Sequence, residues 1–444
     1  MPIGGENVPM SDWTRRELLQ RASALAVAGT LPAGVMAALA PKRTISANDK
    51  IVFGLIGCGG MGSSNMRTFM NHPEVEIAAL CDVDENRIPG DFKTVSDKYG
   101  KKPEVYRDYR KMLERKDIDA VIVGSPDHWH ALHFIHACQA GKDSYCEKPV
   151  SHNIVEALAM TAAAKKHKRV VQVGTWQRST KEFTDAIAYI RAGKLGKVVL
   201  CRAWITDGFK AGVQKPSTPP AGLDYDAWIG PAKMVPYKPN HVHFNWRWFM
   251  NYGGGMSTDW GVHMMDIALL GMSKDQDLVM PEECTAVGGN WAITGDDRDA
   301  PDVTEAIYRF SDPDFALHWS IGRDHPGKPG HGTEFVGADG RTLRVWRGGW
   351  LLLDPDGKEL PKEEAPAAGD HWKDFLDCVA SRGKPRADFA SVAQTTIVCH
   401  LANVALQSGR TVKWDSAKND LGTVGRDTEA YRREYRKPYS LPKI

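Results

Sequence analysis

The chain has 444 residues, which is enough for two or three domains and a large hydrophobic core. Its charge is nearly balanced, with 57 basic and 55 acidic residues, and it lacks the block of Lys and Arg that marks a nucleic-acid surface. The eight cysteines are scattered, without a C-x-x-C pair or a zinc-ligand spacing. The sequence therefore predicts no nucleic-acid partner, no disulfide framework and no metal site.

The N-terminal residues 1–47 do not read as part of a folded domain. Paired arginines, Arg15 and Arg16, precede an alanine-rich stretch, Ala22–Ala40, which carries no charge and is interrupted by glycine and proline. This pattern resembles a twin-arginine export signal, and it is too weakly hydrophobic for a transmembrane helix. We therefore expect a periplasmic protein. The alternatives are a cytosolic amphipathic arm and an uncleaved signal that remains as a membrane anchor.

A glycine-rich turn follows an apolar, strand-like run, Ile51–Ile56. Residues Gly57–Gly62 have the G-x-G-x-x-G spacing of a dinucleotide-binding turn. In such a turn the first glycine allows the tight bend and the second lets a pyrophosphate approach the backbone, while the third lets the next helix pack closely. The sequence therefore predicts a dinucleotide cofactor at this turn.

An acidic residue, Asp82, follows the next predicted strand, Val75–Leu80. A carboxylate at this distance from the glycine turn accepts a hydrogen bond from the adenosine ribose and repels a 2′-phosphate. Asp82 therefore favours NAD. Arg87, five residues further on, leaves NADP as the alternative.

Strands and helices alternate up to about residue 174, as expected for a doubly wound parallel sheet, in which ligands bind beyond the carboxyl ends of the strands. Two strand ends carry unusual residues. Ala120–Val123 leads into Ser125-Pro126-Asp127-His128-Trp129-His130, and Asp143–Cys146 leads into Glu147-Lys148-Pro149. We expect Lys148 to lie over the bound nicotinamide.

The segment from Thr175 onward supplies candidate substrate contacts. Trp176, Gln177 and Arg178 are expected to face a cleft between two domains, and residues 208–236 form a long ordered excursion over the site. The run His241–Phe249 is rich in aromatic and basic residues, which suits stacking and hydrogen bonding to a sugar. Two histidines at i and i+2 leave a metal as an alternative, although no carboxylate or cysteine completes a ligand set nearby. Arg247 reaches either the cofactor amide or the substrate, or it forms a structural ion pair.

A glycine triplet precedes the second stretch that carries candidate chemistry. Ser257 or Thr258 is the expected N-cap of a helix on which Asp259, His263 and Asp266 share one face. When a hydride leaves a carbinol carbon, the hydroxyl proton must leave too, and a histidine held by a carboxylate can relay it. We expect His263 and Asp259 to form this pair. The alternative is a helix-capping Asp259 and a core His263.

Taken together, these motifs resemble the glucose–fructose oxidoreductase/inositol dehydrogenase (Gfo/Idh/MocA) family. The resemblance extends from Asn48 to the C-terminus and rests on Gly57–Gly62, Ser125-Pro126, Glu147-Lys148-Pro149 and Asp259-x-x-x-His263. It implies an NAD(P)-binding Rossmann domain, residues 48–174, and an α/β domain with an open, mainly antiparallel sheet, residues 175–444. It also implies that Lys148 is the catalytic lysine, that Glu147 fixes the loop around the cofactor, and that the C-terminal section packs back on the first domain.

The resulting hypothesis is an exported NAD-dependent oxidoreductase that acts on a secondary hydroxyl of a sugar or glycoside, with C3 as a candidate position. Alternatives are an NAD-dependent glycoside hydrolase and a cofactor-holding protein without activity. We expect a homo-oligomer whose tail, Thr428–Ile444, lies across a neighbour or across its own body. The predicted catalytic residues are Lys148, Asp259 and His263. The predicted cofactor-binding residues are Gly57, Gly59, Gly60, Met61, Gly62, Asp82, Ser125, Pro126, His130, Glu147, Lys148, Gln177 and Arg247. The predicted substrate-binding residues are Trp176, Arg178, Tyr225, His241, His243, Trp246, Asp259 and His263.

Overall fold

The computed structural model describes residues 50–366 and 368–444. The predicted export signal, residues 1–47, lies outside the described residues. Within them the chain forms a six-stranded sheet and a ten-stranded sheet. The first is parallel and the second mainly antiparallel, which confirms the predicted fold class.

The parallel sheet has the strand order β3-β2-β1-β4-β5-β6. Every residue of its central strand β1 is buried, because helices cover both faces of such a sheet. The chain changes direction across the sheet between β1 and β4, and ligands bind beyond the strand ends at this switch point. The strands are β1 Ile51–Ile56, β2 Val75–Cys81, β3 Glu104–Tyr106, β4 Ala120–Val123, β5 Asp143–Cys146 and β6 Val171–Val173.

The helices around this sheet begin where side chains cap them. The carboxylate of Asp108 accepts from the amide of Arg110 at the start of α3, and the Asn153 side chain accepts from the amide of Glu156 at the start of α5. Helix α4 begins directly after Pro126, so its first turn lies next to the end of β4. The helices are α1 Gly60–Phe69, α2 Ile88–Tyr99, α3 Tyr109–Leu113, α4 Asp127–Gln139 and α5 Ile154–His167.

The second sheet has the strand order β14-β13-β12-β11-β7-β10-β9-β8-β15-β16. Among the described strand pairs of this second sheet, only β7 and β10 are parallel. Burial alternates along β9 and β10, as expected when one face of a sheet covers the core. The strands are β7 Val198–Thr206, β8 Glu283–Gly289, β9 Val303–Ser311, β10 Asp314–Gly322, β11 His331–Gly337, β12 Thr342–Trp346, β13 Gly349–Leu353, β14 Glu359–Leu360, β15 Val412–Asp415 and β16 Asp420–Leu421.

The remaining helices join the two sheets. They are α6 Lys181–Arg191, α7 Tyr225–Ile229, α8 Met256–Asp259, α9 Gly261–Met272, α10 His371–Ser381 and α11 Phe389–Ser408, with 3-10 turns at Glu85–Arg87, Trp176–Ser179, Pro239–His241 and Asn245–Trp248. Helix α11 contacts α5 beside the first sheet and β8 of the second. It is long and apolar enough to cross a membrane by length and composition, but 83% of its apolar window is buried in the protein, as in a core helix.

The C-terminal section returns to the first sheet. The amide of Val173 in β6 donates to the carbonyl of Ala387 at 2.9 Å. In the tail, Arg433 forms a buried ion pair with Glu156 of α5 at 2.8 Å, and the ring of Tyr439 packs against Trp129 with centroids 5.3 Å apart. Of the two positions expected for the tail, the structure shows the one across its own body.

Candidate active site

A cleft of about 760 Å³ lies beyond the carboxyl ends of the parallel strands. The glycine turn after β1, Asp82 after β2, the Ser125-Pro126 turn after β4 and the lysine loop after β5 all open into it. The predicted cofactor residues that line it are Gly57, Gly59, Gly60, Met61, Asp82, Ser125, Pro126, Glu147, Lys148 and Arg247. The cleft therefore assembles turns that are far apart in the sequence.

The glycine turn presents bare backbone to this cleft. Gly57 has a φ of +94°, and a Cβ there would lie 2.8 Å from the carbonyl carbon of Gly124. A Cβ at Gly59 would collide with the guanidinium of Arg87, and one at Gly62 would collide with the carbonyl oxygen of Gly57. Gly62 does not line the cleft; it lets α1 pack closely on the turn. This shape fits a pyrophosphate placed against the backbone at the start of α1.

The adenosine end of the cleft is marked by Asp82. Its carboxylate accepts from the amides of Cys58 at 2.7 Å and Asp84 at 2.9 Å, and burial raises its pKa although both hydrogen bonds lower it. Each oxygen keeps a second lone pair for a ribose hydroxyl. Arg87 lies beside it and donates to the carbonyl of Cys58 at 3.3 Å.

Aromatic side chains line the same end of the cleft. His133 stacks on Trp129 with centroids 4.7 Å apart and packs edge-on against Tyr109 at 4.3 Å. Tyr439, from the C-terminal tail, lines the cleft beside them. Flat apolar surfaces of this kind suit an adenine ring. The sequence did not predict that a residue of the tail would line the cofactor cleft.

Lys148 reaches across to the second half of the chain. Its Nζ donates to the carboxylate and to the main-chain carbonyl of Asp259, both at 2.8 Å. Arg247 donates to the same carboxylate at 3.3 Å. It therefore forms the structural ion pair that was one of its predicted alternatives, and its side chain also lines the cleft. Burial alone would raise the pKa of Asp259, but the charges and hydrogen bonds of Lys148 and Arg247 bring it below its usual value. Asp259 is therefore ionised at neutral pH.

The structure does not contain the predicted Asp259–His263 pair. The helix is interrupted at Trp260, so α8 ends at Asp259 and α9 begins at Gly261, and the Asp259 carboxylate turns to Lys148. The N-cap of α8 is Gly255 rather than Ser257 or Thr258, and it makes no side-chain cap. The positive φ of Gly255, +64°, explains why a glycine takes this place.

His263 lies next to this centre as a neutral imidazole. It is 5% exposed, and its Nδ1 has no hydrogen-bond partner among the described residues. Burial, followed by the charges of Lys148, Arg347 and His331, lowers its pKa well below the usual value. The near-neutral pKa expected from the sequence is wrong for this reason. A neutral imidazole can still accept a proton or a hydrogen bond.

Two predicted ligand contacts are structural instead. Arg178 forms two hydrogen bonds with Asp266, at 2.6 and 2.8 Å, and both side chains are almost fully buried. The ring nitrogens of His130 lie 2.8 Å from the carbonyls of Pro149 and Ser125. His130 therefore joins the two strand-end loops without entering the cleft.

The other predicted substrate residues are divided between two ends. His243 bonds the carboxylate of Asp84 at 2.8 Å, at the adenosine end. His241 is buried against Phe249 and Tyr252, and Tyr225 stacks on Trp228; neither lines the cleft. His243, His241 and Tyr225 therefore do not come together as the predicted sugar site. The excursion of residues 208–236 folds over the nucleotide end of the cleft instead. No group of three or more metal-ligating side chains occurs in residues 50–366 and 368–444.

Toward the other end, Trp246 lines the cleft beneath the guanidinium of Arg247, which lies 4.4 Å from the ring centroid. Trp176 and Gln177 lie outside the cofactor cleft. The guanidinium of Arg347 lies 4.7 Å from the Trp176 ring and donates to the Gln177 amide oxygen at 2.9 Å. Gln177, predicted to bind the cofactor, is therefore buried outside the cleft, between Arg347 and the carbonyl of His263.

Two functional candidates were not predicted. Asp127 lines the cleft, is 3% exposed, and has an Oδ1 without a partner among the described residues. Burial and the charge of Asp259 raise its pKa well above the usual value, so it can donate to a cofactor hydroxyl. Its position directly after Ser125-Pro126 was an available signal. Arg347 lies in the turn between β12 and β13, and nothing in its local sequence marks it.

Comparison with known proteins agrees with this architecture. Residues 51–175 match the model described as "Oxidoreductase family, NAD-binding Rossmann fold", and residues 203–290 match "Oxidoreductase family, C-terminal alpha/beta domain". The first sheet and its cleft therefore form an NAD-binding Rossmann domain, and the unpartnered Asp127 oxygen and the open glycine turn fit that cofactor.

Individual relatives are more distant. The chain is 26% identical over 247 residues to uncharacterized oxidoreductase YrbE of Bacillus subtilis, covering 56% of this chain and 61% of YrbE. It is 30% identical over 149 residues to an inositol 2-dehydrogenase of Salmonella paratyphi B, covering 33% and 43%. Glycosyl hydrolase family 109 protein 1 of Shewanella sp. is 26% identical over 40% of this chain and 39% of that protein. The alignments thus span less than two thirds of these relatives.

Solved structures match over a longer region. Aldose-aldose oxidoreductase from Caulobacter crescentus, complexed with glycerol, has a TM-score of 0.62 at 20% identity, covering 82% of this chain and 99% of that one. Levoglucosan dehydrogenase, complexed with NADH and levoglucosan, has a TM-score of 0.61 at 19% identity, with the same coverage. At these identities the likeness is one of fold.

Proposed function

We propose that this chain, in which residues 51–175 and 203–290 match Gfo/Idh/MocA oxidoreductase family models, is an exported NAD-dependent oxidoreductase of sugars or glycosides. It would move a hydride between a secondary hydroxyl, with C3 as the candidate position, and a tightly bound cofactor. The observation that carries this proposal is the contact of Lys148 with Asp259 at the end of the NAD cleft. It places a cation from one half of the chain against a carboxylate from the other.

In this proposal Lys148, Asp259 and His263 have different roles at the substrate hydroxyl group. The bound nicotinamide supplies the hydride acceptor. Two of the three N–H groups of Lys148 go to Asp259, which leaves one to donate to the substrate oxygen. Asp259 holds this ammonium in place, and neutral His263 accepts the hydroxyl proton. The charge of Lys148 then stabilises the oxygen as its proton leaves.

Cofactor choice and export belong to the same proposal. Asp82 supports NAD over NADP, since its carboxylate repels a 2′-phosphate. The Arg15-Arg16 pattern supports export of the folded protein, and free NAD is scarce outside the cytoplasm. A captive cofactor, recycled between two substrates, follows from these two points. The export step is tested by changing Arg15 and Arg16 to lysine and fractionating the cells. If the variant is found in the same compartment as the wild type, export through this signal is contradicted.

A second candidate is an NAD-dependent glycoside hydrolase. The similarity to a glycosyl hydrolase family 109 protein supports it. Such an enzyme would oxidise C3, eliminate the leaving group across the acidified C2 position, add water and restore the hydroxyl with the same hydride. This route needs a base for the C2 proton. Tyr225, His241 and His243 are candidates for this base. Tyr225 and His241 do not line the cleft, and His243 is paired with Asp84, which weakens this alternative.

The experiment uses purified full-length protein with its co-purified cofactor, identified by mass spectrometry of the released ligand. Incubation with a panel of sugars and 4-nitrophenyl glycosides is followed by absorbance of bound NADH and by product analysis. A keto-sugar supports the dehydrogenase. Nitrophenol release without net NADH supports the hydrolase, and no turnover of any sugar or glycoside would contradict both. Light scattering of the same sample tests the proposed homo-oligomer.

A further inference from the structure

Arg347 is held between two tryptophans beside the catalytic centre. Its guanidinium carbon lies 4.7 Å from the ring centroid of Trp176 and 4.6 Å from that of Trp260. Its Nε donates to the side chain of Gln177 at 2.9 Å, and its main-chain amide donates to His331 at 3.3 Å. The side chain is therefore fixed in one position before any ligand arrives, which lowers the entropy cost of binding.

The terminal NH2 groups of this guanidinium have no hydrogen-bond or ion-pair partner within residues 50–366 and 368–444. The buried arginines of the part of the chain that the structure describes are different, because each has a carboxylate partner: Arg178 with Asp266, Arg298 with Asp207, and Arg433 with Glu156. Burial lowers the pKa of Arg347, against the charges of Asp259 and Glu182, but a guanidinium stays protonated in proteins. Arg347 itself is only partly buried, so part of its side chain stays accessible to a ligand that could supply a counter-ion.

The cluster lies on the substrate side of the cofactor cleft. Trp260 directly follows Asp259, and its ring packs against that of His263 with centroids 5.9 Å apart. The charge of Arg347 acts on both Asp259 and His263, although Arg347 does not line the cofactor cleft. A ligand on Arg347 would therefore lie outside the cofactor cleft, beside the segment that carries Asp259 and His263.

The pairing around Arg347 favours an anionic ligand. The two acidic groups whose charges act on Arg347 are Asp259 and Glu182, but neither forms an ion pair with it among the described residues, and Asp259 is already paired with Lys148 and Arg247. His331, 5.0 Å from the Trp260 ring, is neutral because burial and the charge of Arg347 lower its pKa to about 4. A flat guanidinium edge matches the two oxygens of a carboxylate, and tryptophan faces suit a sugar ring.

We propose that Trp176, Arg347 and Trp260 form a subsite for the carboxylate of an acidic sugar, such as a uronic or aldonic acid. This inference rests on the proposed sugar oxidoreductase function and names its substrate class. The carboxylate pairs with the free edge of Arg347, while a hydroxyl of the same molecule reaches Lys148. A neutral sugar would leave the guanidinium without a counter-ion and bind more weakly.

The test compares acidic sugars with their neutral partners: D-glucuronate with D-glucose, D-galacturonate with D-galactose, and D-gluconate with sorbitol. Binding to the holoprotein is measured by calorimetry, and turnover by bound-NADH absorbance. A charge-assisted bidentate contact contributes about 1.5–3 kcal/mol, so at least one acid should bind about 10- to 100-fold more tightly than its partner. Failure of all three acids to bind, or equal binding of each pair, overturns the inference.

Variants assign the effect to Arg347. Arg347→Gln should bring the acid-to-neutral ratio close to one, and Arg347→Lys should restore part of it because the charge returns. Arg341→Gln, at the other end of β12 and paired with Asp339, is the matched control and should keep the ratio. Circular dichroism and NAD content verify folding of each variant. An acid preference that survives Arg347→Gln would overturn the subsite.

The two proposals can fail separately. Turnover of neutral sugars with no acid preference overturns the subsite and leaves the oxidoreductase function standing. Binding of acids that depends on Arg347, with no oxidation of any sugar, overturns the oxidoreductase function and retains the subsite.

Discussion

The two ends of the site differ in the chemical groups that form their surfaces. At the cofactor end the surface is mostly backbone, supplied by turns such as Gly57–Gly62 that follow parallel strands directly. At the catalytic end it is mostly charged and aromatic side chains, such as Lys148, Asp259 and Arg347, that converge from different elements. Binding at the first end thus depends on the shape of the main chain, and the chemistry proposed for the second would depend on ion pairs between the two halves of the chain.

Loss of the lysine charge should give the largest effect and act on one end alone. Lys148→Met removes the donor to the substrate oxygen, so kcat/KM should fall about 10²- to 10³-fold, as for loss of one group that stabilises charge in the transition state. Mass spectrometry should still find NAD in the purified variant. Lys93→Met, at a side chain that is 76% exposed, is the control and should match the wild type. Retained activity in Lys148→Met would contradict the assigned role.

The buried pair of Arg178 and Asp266 should govern stability rather than substrate binding. Arg178→Met leaves an uncompensated buried carboxylate, which should cost about 3–5 kcal/mol in the free energy of unfolding. Denaturant unfolding measures this, with Arg309→Met as control, because both side chains of the Arg309–Glu282 pair are exposed (62% and 48%) and the variant should lose at most about 1 kcal/mol. A normal stability with a raised KM would return Arg178 to the substrate site.

Backbone shape at the cofactor end can be tested at Gly57. An alanine there meets both a positive φ and the Gly124 backbone, at a strain of about 1–3 kcal/mol. NAD affinity measured by calorimetry should therefore fall about 10- to 100-fold. Gly90→Ala is the control, since its Cβ would meet nothing within 4 Å. Unchanged affinity in Gly57→Ala would show that the turn tolerates a side chain.

The smallest effect is expected in the pH profile. His263 must be neutral to accept a proton, and its pKa in the folded protein is well below the usual 6.5. Activity that depends on this base is therefore retained as pH falls through 6.5 and lost only near the lowered pKa. We expect kcat/KM to change by less than about twofold between pH 7.5 and 6. An acid limb centred near pH 6.5 would restore the Asp259–His263 pair that the sequence predicts.

The contrast between the two ends also explains what could be predicted from sequence. The spacing of Gly57–Gly62 and the position of Asp82 follow from local chain geometry, so the cofactor end was predictable. Trp260 interrupts a helix that the i, i+4 pattern treats as continuous, and the partner of Asp259 proved to be a lysine 111 positions away. Pairing over such a distance is decided by tertiary packing, which no local pattern encodes.

Burial accounts for the other errors. Arg178 and His130 lie at strand ends where polar residues face a ligand in many such folds, yet α9 covers the first and the lysine loop covers the second. Arg347 shows the opposite error, because the sequence did not predict it as a site residue. Its neighbours Trp176, Trp260 and His331 come from different segments of the chain, so only the pairing of β11, β12 and β13 brings it to the site.

The tail contact sets an order of events during synthesis. Tyr439 lines the adenosine end of the cleft and packs on Trp129, and Arg433 is anchored on Glu156. The nucleotide site is therefore finished only when residues near 439 have been translated and have docked. The Rossmann turns can form earlier, but they lack this aromatic wall until then. Capture of NAD by the complete site must accordingly follow the docking of Tyr439.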